Sequence, residues 1–171
     1  MKFHLHKRVV FSIMLGFLLW LIGIIITPLL AASDWLLGQK VSAFMYFFYK
    51  PVCHQLADRS FGIDEFALTV CIRCFGFYLG GFFISLFYLF KDKIYLWTFS
   101  SYILLIAPVF VDFILEKINI YTNIGGLRFM TGLLLGIAVF QLLFVSLFIN
   151  KAKQKIESLP LKFNDSTSNN S

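Results

Sequence analysis

Four apolar runs, at residues 9–32, 70–90, 94–115 and 127–149, decide what this chain can fold into. A hydrocarbon core is crossed by about 20 helical residues, and each run meets that length. None alternates apolar and polar residues with a period of two, as a barrel strand does. In lipid no water takes up backbone N–H and C=O groups, so each run satisfies its backbone as a helix. The reading is an all-α polytopic membrane protein, a four-transmembrane-helix bundle. Charged residues are 14% of the chain, against about 25% in soluble domains. Residues 1–150 read as a single membrane domain, and 151–171 as a cytoplasmic tail with a disordered Ser/Asn-rich end. Pro28 and Pro108 mark kinks within the first and third runs.

Lys7-Arg8 and Ala31-Ala32-Ser33 flank the first run as they would a secretion signal. Its length exceeds the roughly 7 to 15 apolar residues of such signals, so it reads as a retained helix.

Basic residues set the orientation. The N-terminal arm, the turn around Lys91 and Lys93, and the C-terminal tail hold nine Lys and Arg against three acidic residues. The opposite face holds six of each sign. Excess Lys and Arg stays inside, so both termini are expected in the cytoplasm of a multi-pass plasma-membrane protein. The net charge of +6 then reflects topology and attraction to anionic lipid, not nucleic acid. No Gly-rich phosphate loop or helical His pair occurs, and His4 and His6 read as part of the basic arm.

On this topology the external face gathers Cys53, His54, Arg59, Cys71, Arg73, Cys74, Asp112, Glu116, Asn123 and Arg128. The first external loop contains an apolar, aromatic stretch at 41–49, too short to span and read as a short interfacial helix. Lys50-Pro51 ends it and delivers Cys53-His54 to the membrane surface, and residues 58–62 read as a turn. All three cysteines fall between positions 53 and 74. Cys71 and Cys74, three apart in a helix, share a face, with Arg73 about 100° from Cys74. Gly76 and Gly80 form a small-xxx-small pair that Gly132 and Gly136 repeat, which suits close helix packing within one chain or a homo-oligomer. Asp112 and Glu116 share a face one turn apart, and Asp112 lies inside the membrane, where an ionisable group is costly and a functional candidate.

Cys53-His54-Gln55, Arg59-Ser60-Phe61 and Cys71-Ile72-Arg73-Cys74-Phe75-Gly76-Phe77-Tyr78-Leu79-Gly80, followed by Asp112, Asn123 and Arg128-Phe129-Met130-Thr131-Gly132, form a set of motifs. The set resembles a family of small predicted bacterial and archaeal membrane proteins defined as a domain of unknown function. Its pattern reads CHQ, RSF, CxRCxGxYxG and RxxTG, and the resemblance covers about residues 50 to 137. Phe75 departs from it, standing where a small polar residue is expected. The resemblance implies a membrane location and brings no activity.

Three chemistries fit the residues. Cys53, His54, Cys71 and Cys74 form a Cys3His set whose CxxC half has a common zinc-ligand spacing, and thiolate-rich sets favour zinc or iron over hard cations. Adjacent Cys and His seldom bind one ion, so Asp112 or Glu116 is an alternative fourth ligand. An open coordination position would make a hydrolase or transferase acting on lipid or a small molecule at the external face. Glu116 would then serve as base, with Arg73 or Arg128 holding an anion. Alternatively, a CxxC at a helix N-terminus has a lowered thiol pKa and suits thiol–disulfide exchange, with Cys53 as a third thiol. Quinone-coupled disulfide-forming enzymes share the four-helix architecture but use a second cysteine pair, absent here. Last, the cysteines are inert packing residues and Asp112 or Glu116 pairs with Arg73 or Arg128 to fix the bundle.

Overall fold

The computed structural model describes residues 7–53, 60–63, 66–91, 97–118 and 124–157. Among these residues it is helical, with five helices: α1 (Lys7–Ala31), α2 (Leu36–Tyr49), α3 (Ile72–Phe90), α4 (Phe99–Lys117) and α5 (Gly125–Glu157). Two two-residue strands, β1 (Gly62–Ile63) and β2 (Phe66–Ala67), pair antiparallel just before α3, a small exception to the all-α reading. Lys7–Ala31, Ile72–Phe90 and Gly125–Phe148 are long and apolar enough to cross a membrane. The apolar part of α4, Phe99–Leu115, is shorter: the helix begins at Phe99, with Trp97 and Thr98 outside it, and 94–96 of the expected third run lie outside the described residues. Pro28 and Pro108 stand inside α1 and α4. The last helix continues to Glu157, past the boundary expected at 150.

Packing is organised around α3, which lies against α5 on one side and α1 on the other; α2 docks on α1, and α4 on α5. The α3–α5 seam is made by the two glycine pairs. A Cβ at Gly76 would overlap the Phe129 carbonyl and one at Gly80 the Leu133 carbonyl. Reciprocally, Gly132 lies against the carbonyl of Arg73 and Gly136 against that of Phe77. Both small-xxx-small motifs therefore pack the two helices within one chain, backbone against backbone. The rising residue numbers on both sides show that α3 and α5 run parallel. Below the seam, Val10, Ile84, Tyr88, Phe144 and Phe148 form a buried cluster that ties α1 into the pair.

The short second helix follows α1 in the reverse direction. Ser42 Oγ donates to the Thr27 carbonyl at 2.9 Å, and Tyr49 hydroxyl to the Trp20 carbonyl at 3.0 Å. Gly23 makes room for that tyrosine, since a Cβ there would strike its hydroxyl. The C-terminal end of α2 thus reaches the middle of α1. Its other side leaves Leu37, Phe44, Phe47 and Phe48 exposed.

Candidate metal centre

Each cysteine is placed by the end of a helix. Past the last turn of α2, the Cys53 N–H donates to the Tyr49 carbonyl at 3.2 Å, which folds the chain back over the helix. Cys71 is the N-cap of α3, with φ −67° and ψ 160°. The sequence expectation that it lies within the helix is therefore corrected. An extended cap residue turns its side chain out of the helical spiral, while its carbonyl accepts the Phe75 N–H at 2.9 Å. Its own N–H donates to Cys53 Sγ at 3.1 Å. Cys74 follows in the first turn of α3, its sulfur within 4.8 Å of both other cysteine sulfurs.

The three sulfurs all lie within 4.8 Å of one another, and no disulfide joins them. In a tetrahedral zinc–thiolate site, bonds of about 2.3 Å hold sulfurs roughly 3.8 Å apart, so small side-chain rotations bring these three to a common ion. Cys53 is 7% exposed and the other two are half-buried. Leu21, Ile24, Tyr49, Leu68 and Val70 form the apolar cluster around Cys53, with Trp20, Phe75 and Tyr78 packed against it. Thiolates in such surroundings are costly unless a cation or hydrogen-bond donors balance them, and the Cys71 N–H supplies one such donor. The Phe75 ring packs against this cluster and toward Phe129.

A second polar group lies on the other side of the first turn of α3. Arg73 Nη2 donates to Asp112 Oδ2 at 2.5 Å, and Thr131 Oγ1 donates to the same oxygen at 3.3 Å. Thr131 also reaches the Arg128 carbonyl at 3.0 Å. Asp112 is 2% exposed and Arg128 5%. This group ties α3, α4 and α5 together, as the packing reading of the charges expects. The Asp112 carboxylate is thus engaged by a guanidinium and a hydroxyl, and it stands outside the group of sulfurs. His54, Arg59 and Asn123, and the side chain of Glu116, lie outside the described residues.

Sequence reasoning missed the aromatic residues that position the sulfurs. Tyr49 anchors the turn bearing Cys53, and Trp20 meets both Tyr49 and Tyr78, with ring centroids at 4.8 and 5.6 Å. Tyr46 donates its hydroxyl to the Ala67 carbonyl, fixing the hairpin over α2. Burial raises the pKa of both tyrosines in α2 above the ordinary phenol value. The available signal was spacing: Tyr49 precedes Cys53 by one helical turn, and Tyr78 follows Cys74 by one.

Apolar helices long enough to span, with three thiols gathered at their ends, define a helical membrane protein with a cysteine centre. The chain belongs to the family described as Predicted membrane protein (DUF2085), whose model matches residues 53–142. That stretch begins at Cys53 and includes Cys71, Cys74, Asp112 and Arg128. An uncharacterized protein of Methanocaldococcus jannaschii is 30% identical over 141 residues, 78% of this chain and 88% of the relative. An uncharacterized protein of Methanothermobacter thermautotrophicus is 33% identical over 92 residues, 53% of this chain and 83% of the relative. No solved structure matches.

Proposed function

We propose that this protein holds a metal ion, zinc or iron, on Cys53, Cys71 and Cys74 at the external face of a four-span membrane bundle with both termini in the cytoplasm. The observation that carries the reading is the convergence of three sulfurs within 4.8 Å. Two close thiols suffice for a disulfide; a third within the same 4.8 Å of both fits shared coordination. His54, next to Cys53, is the nearest fourth ligand in sequence. The ion would link the end of α2 to the start of α3 and hold the first external loop in place. The fourth span is α4, and α2 lies along the outer half of α1 with its exposed aromatic side toward lipid.

Thiol–disulfide exchange is the second reading, favoured by the N-cap position of Cys71, where the helix dipole stabilises thiolate. Elemental analysis of detergent-purified protein, with thiols counted after denaturation in chelator, separates the two. About one zinc or iron per chain, absent from Cys71→Ser, supports the metal centre. A metal-free chain with one reduced thiol and two oxidised ones would overturn it in favour of exchange.

A further inference from the structure

The three sulfurs are not equivalent. Cys53 is 7% exposed and packs among Leu21, Ile24, Tyr49, Leu68 and Val70. Its sulfur accepts the Cys71 N–H at 3.1 Å, and a donor that stabilises a thiolate also makes it a weaker nucleophile. Cys71 and Cys74 are half-buried and lie at the edge of the same cluster. The Cys71 carbonyl accepts the Phe75 N–H at 2.9 Å, so these two cysteines stand across one closed turn at the start of α3. That is the Cys-x-x-Cys arrangement of dithiols that oxidise reversibly. An oxidant reaches this pair before it reaches Cys53, and each member has the other at hand.

We propose that the centre is a redox switch, in which a hydroperoxide joins Cys71 to Cys74 and frees the ion. The switch rests on the metal reading above and adds which sulfurs react. One thiolate of the pair attacks the outer oxygen of the peroxide and the O–O bond breaks. The sulfur becomes a sulfenic acid, and the leaving alkoxide or hydroxide takes a proton from water. The second thiolate attacks that sulfur, the S–O bond breaks, and the leaving hydroxide takes another proton. The sulfurs have then given two electrons to the peroxide, which ends as one water and one alcohol, or as two waters.

Of the three sulfurs the ion keeps Cys53 alone, far short of the four ligands of a structural zinc site, and it departs. The link between the end of α2 and the start of α3 goes with it. Cys53 stays reduced throughout, as a ligand and not a redox partner.

The test starts from the full chain, purified in detergent under reductant and argon and then given zinc. Failure to take up zinc counts against the metal reading itself; the later steps test the switch. One equivalent of hydrogen peroxide, or in a parallel sample cumene hydroperoxide, should release one zinc per chain to a chromogenic chelator. Dithiothreitol and fresh zinc should restore the loaded protein. Peptide mapping of the product should join Cys71 to Cys74, with Cys53 alone taking up N-ethylmaleimide. Faster release by cumene hydroperoxide places the oxidant in lipid, and faster release by hydrogen peroxide places it in water; both support the switch. Cys53→Ala, which holds no ion, should form the same disulfide at the rate of the zinc-free parent. Zinc retained under a large excess of both peroxides overturns the proposal. So does a product in which Cys53 is oxidised, or a several-fold slower reaction in Cys53→Ala.

Discussion

The first turn of α3 faces two kinds of chemistry on adjacent sides. Toward α1 and α2, Cys71 and Cys74 meet Cys53 in an apolar surround. Toward α4 and α5, Arg73 meets Asp112, and Thr131 donates to the same carboxylate oxygen. The ionic side balances a positive guanidinium with a negative carboxylate drawn from three helices. The sulfur side gathers three groups of one kind, each able to become negative, around a common point. One side closes on itself and holds helices together. The other calls for a positive centre or for oxidation. Proximity alone does not mark a functional site; the chemical balance within the group does.

The strongest way to break the comparison is to remove what both sides share. Gly132→Leu drives a side chain into the Arg73 carbonyl and forces α3 from α5. We expect a loss of about 3 kcal/mol or more, seen as an aggregated or strongly destabilised chain on detergent melting. A melting temperature close to that of the parent would remove the seam from its central place.

Next comes the ionic side alone. Asp112→Ala leaves Arg73 without its carboxylate. Breaking a buried pair costs about 3–5 kcal/mol, and the 28% exposure of the Arg73 side chain puts this case nearer about 2 kcal/mol. The metal content should stay at the parental level. Equal loss of metal and stability would show that the two sides act as one unit.

The sulfur side is sharpened by Cys74→Ser. Metal should vanish, and with it the fall in melting temperature that chelator produces in the parent. The metal-free proteins should then differ by about 1 kcal/mol or less. Protons compete with the ion for thiolates, so parental metal should be released as pH falls, not as it rises. Tyr46→Phe, which loses the bond to Ala67, is the mildest change, at about 1 kcal/mol with metal retained.

Hydropathy made the membrane helices legible, because each run had to be apolar to lie in lipid. The CxxC and the glycine pairs were legible by spacing. What spacing left open was direction. Whether Gly76 and Gly132 faced each other or another copy depended on the parallel packing of α3 and α5, which no local pattern encodes. Spacing made Arg73 and Arg128 equal candidates to pair with Asp112, and it did not show that Arg73 Nη2 reaches the carboxylate. Cys71 read as helical because the apolar run begins before it, yet the helix starts at Ile72. The docking of α2 along α1 rests on single contacts, Ser42 to Thr27 and Tyr49 to Trp20, between residues that look unremarkable in sequence.

Cys53 and Cys71 also bracket the segment 54–70. Any bond or ion that joins their sulfurs turns that segment into a closed ring. Closing a ring of this size removes roughly 3 kcal/mol of chain entropy from the unfolded state. The state of the sulfurs therefore governs how easily that segment opens to a protease or a partner. Limited proteolysis within 54–70 would report the chemistry of the two cysteines that bound it.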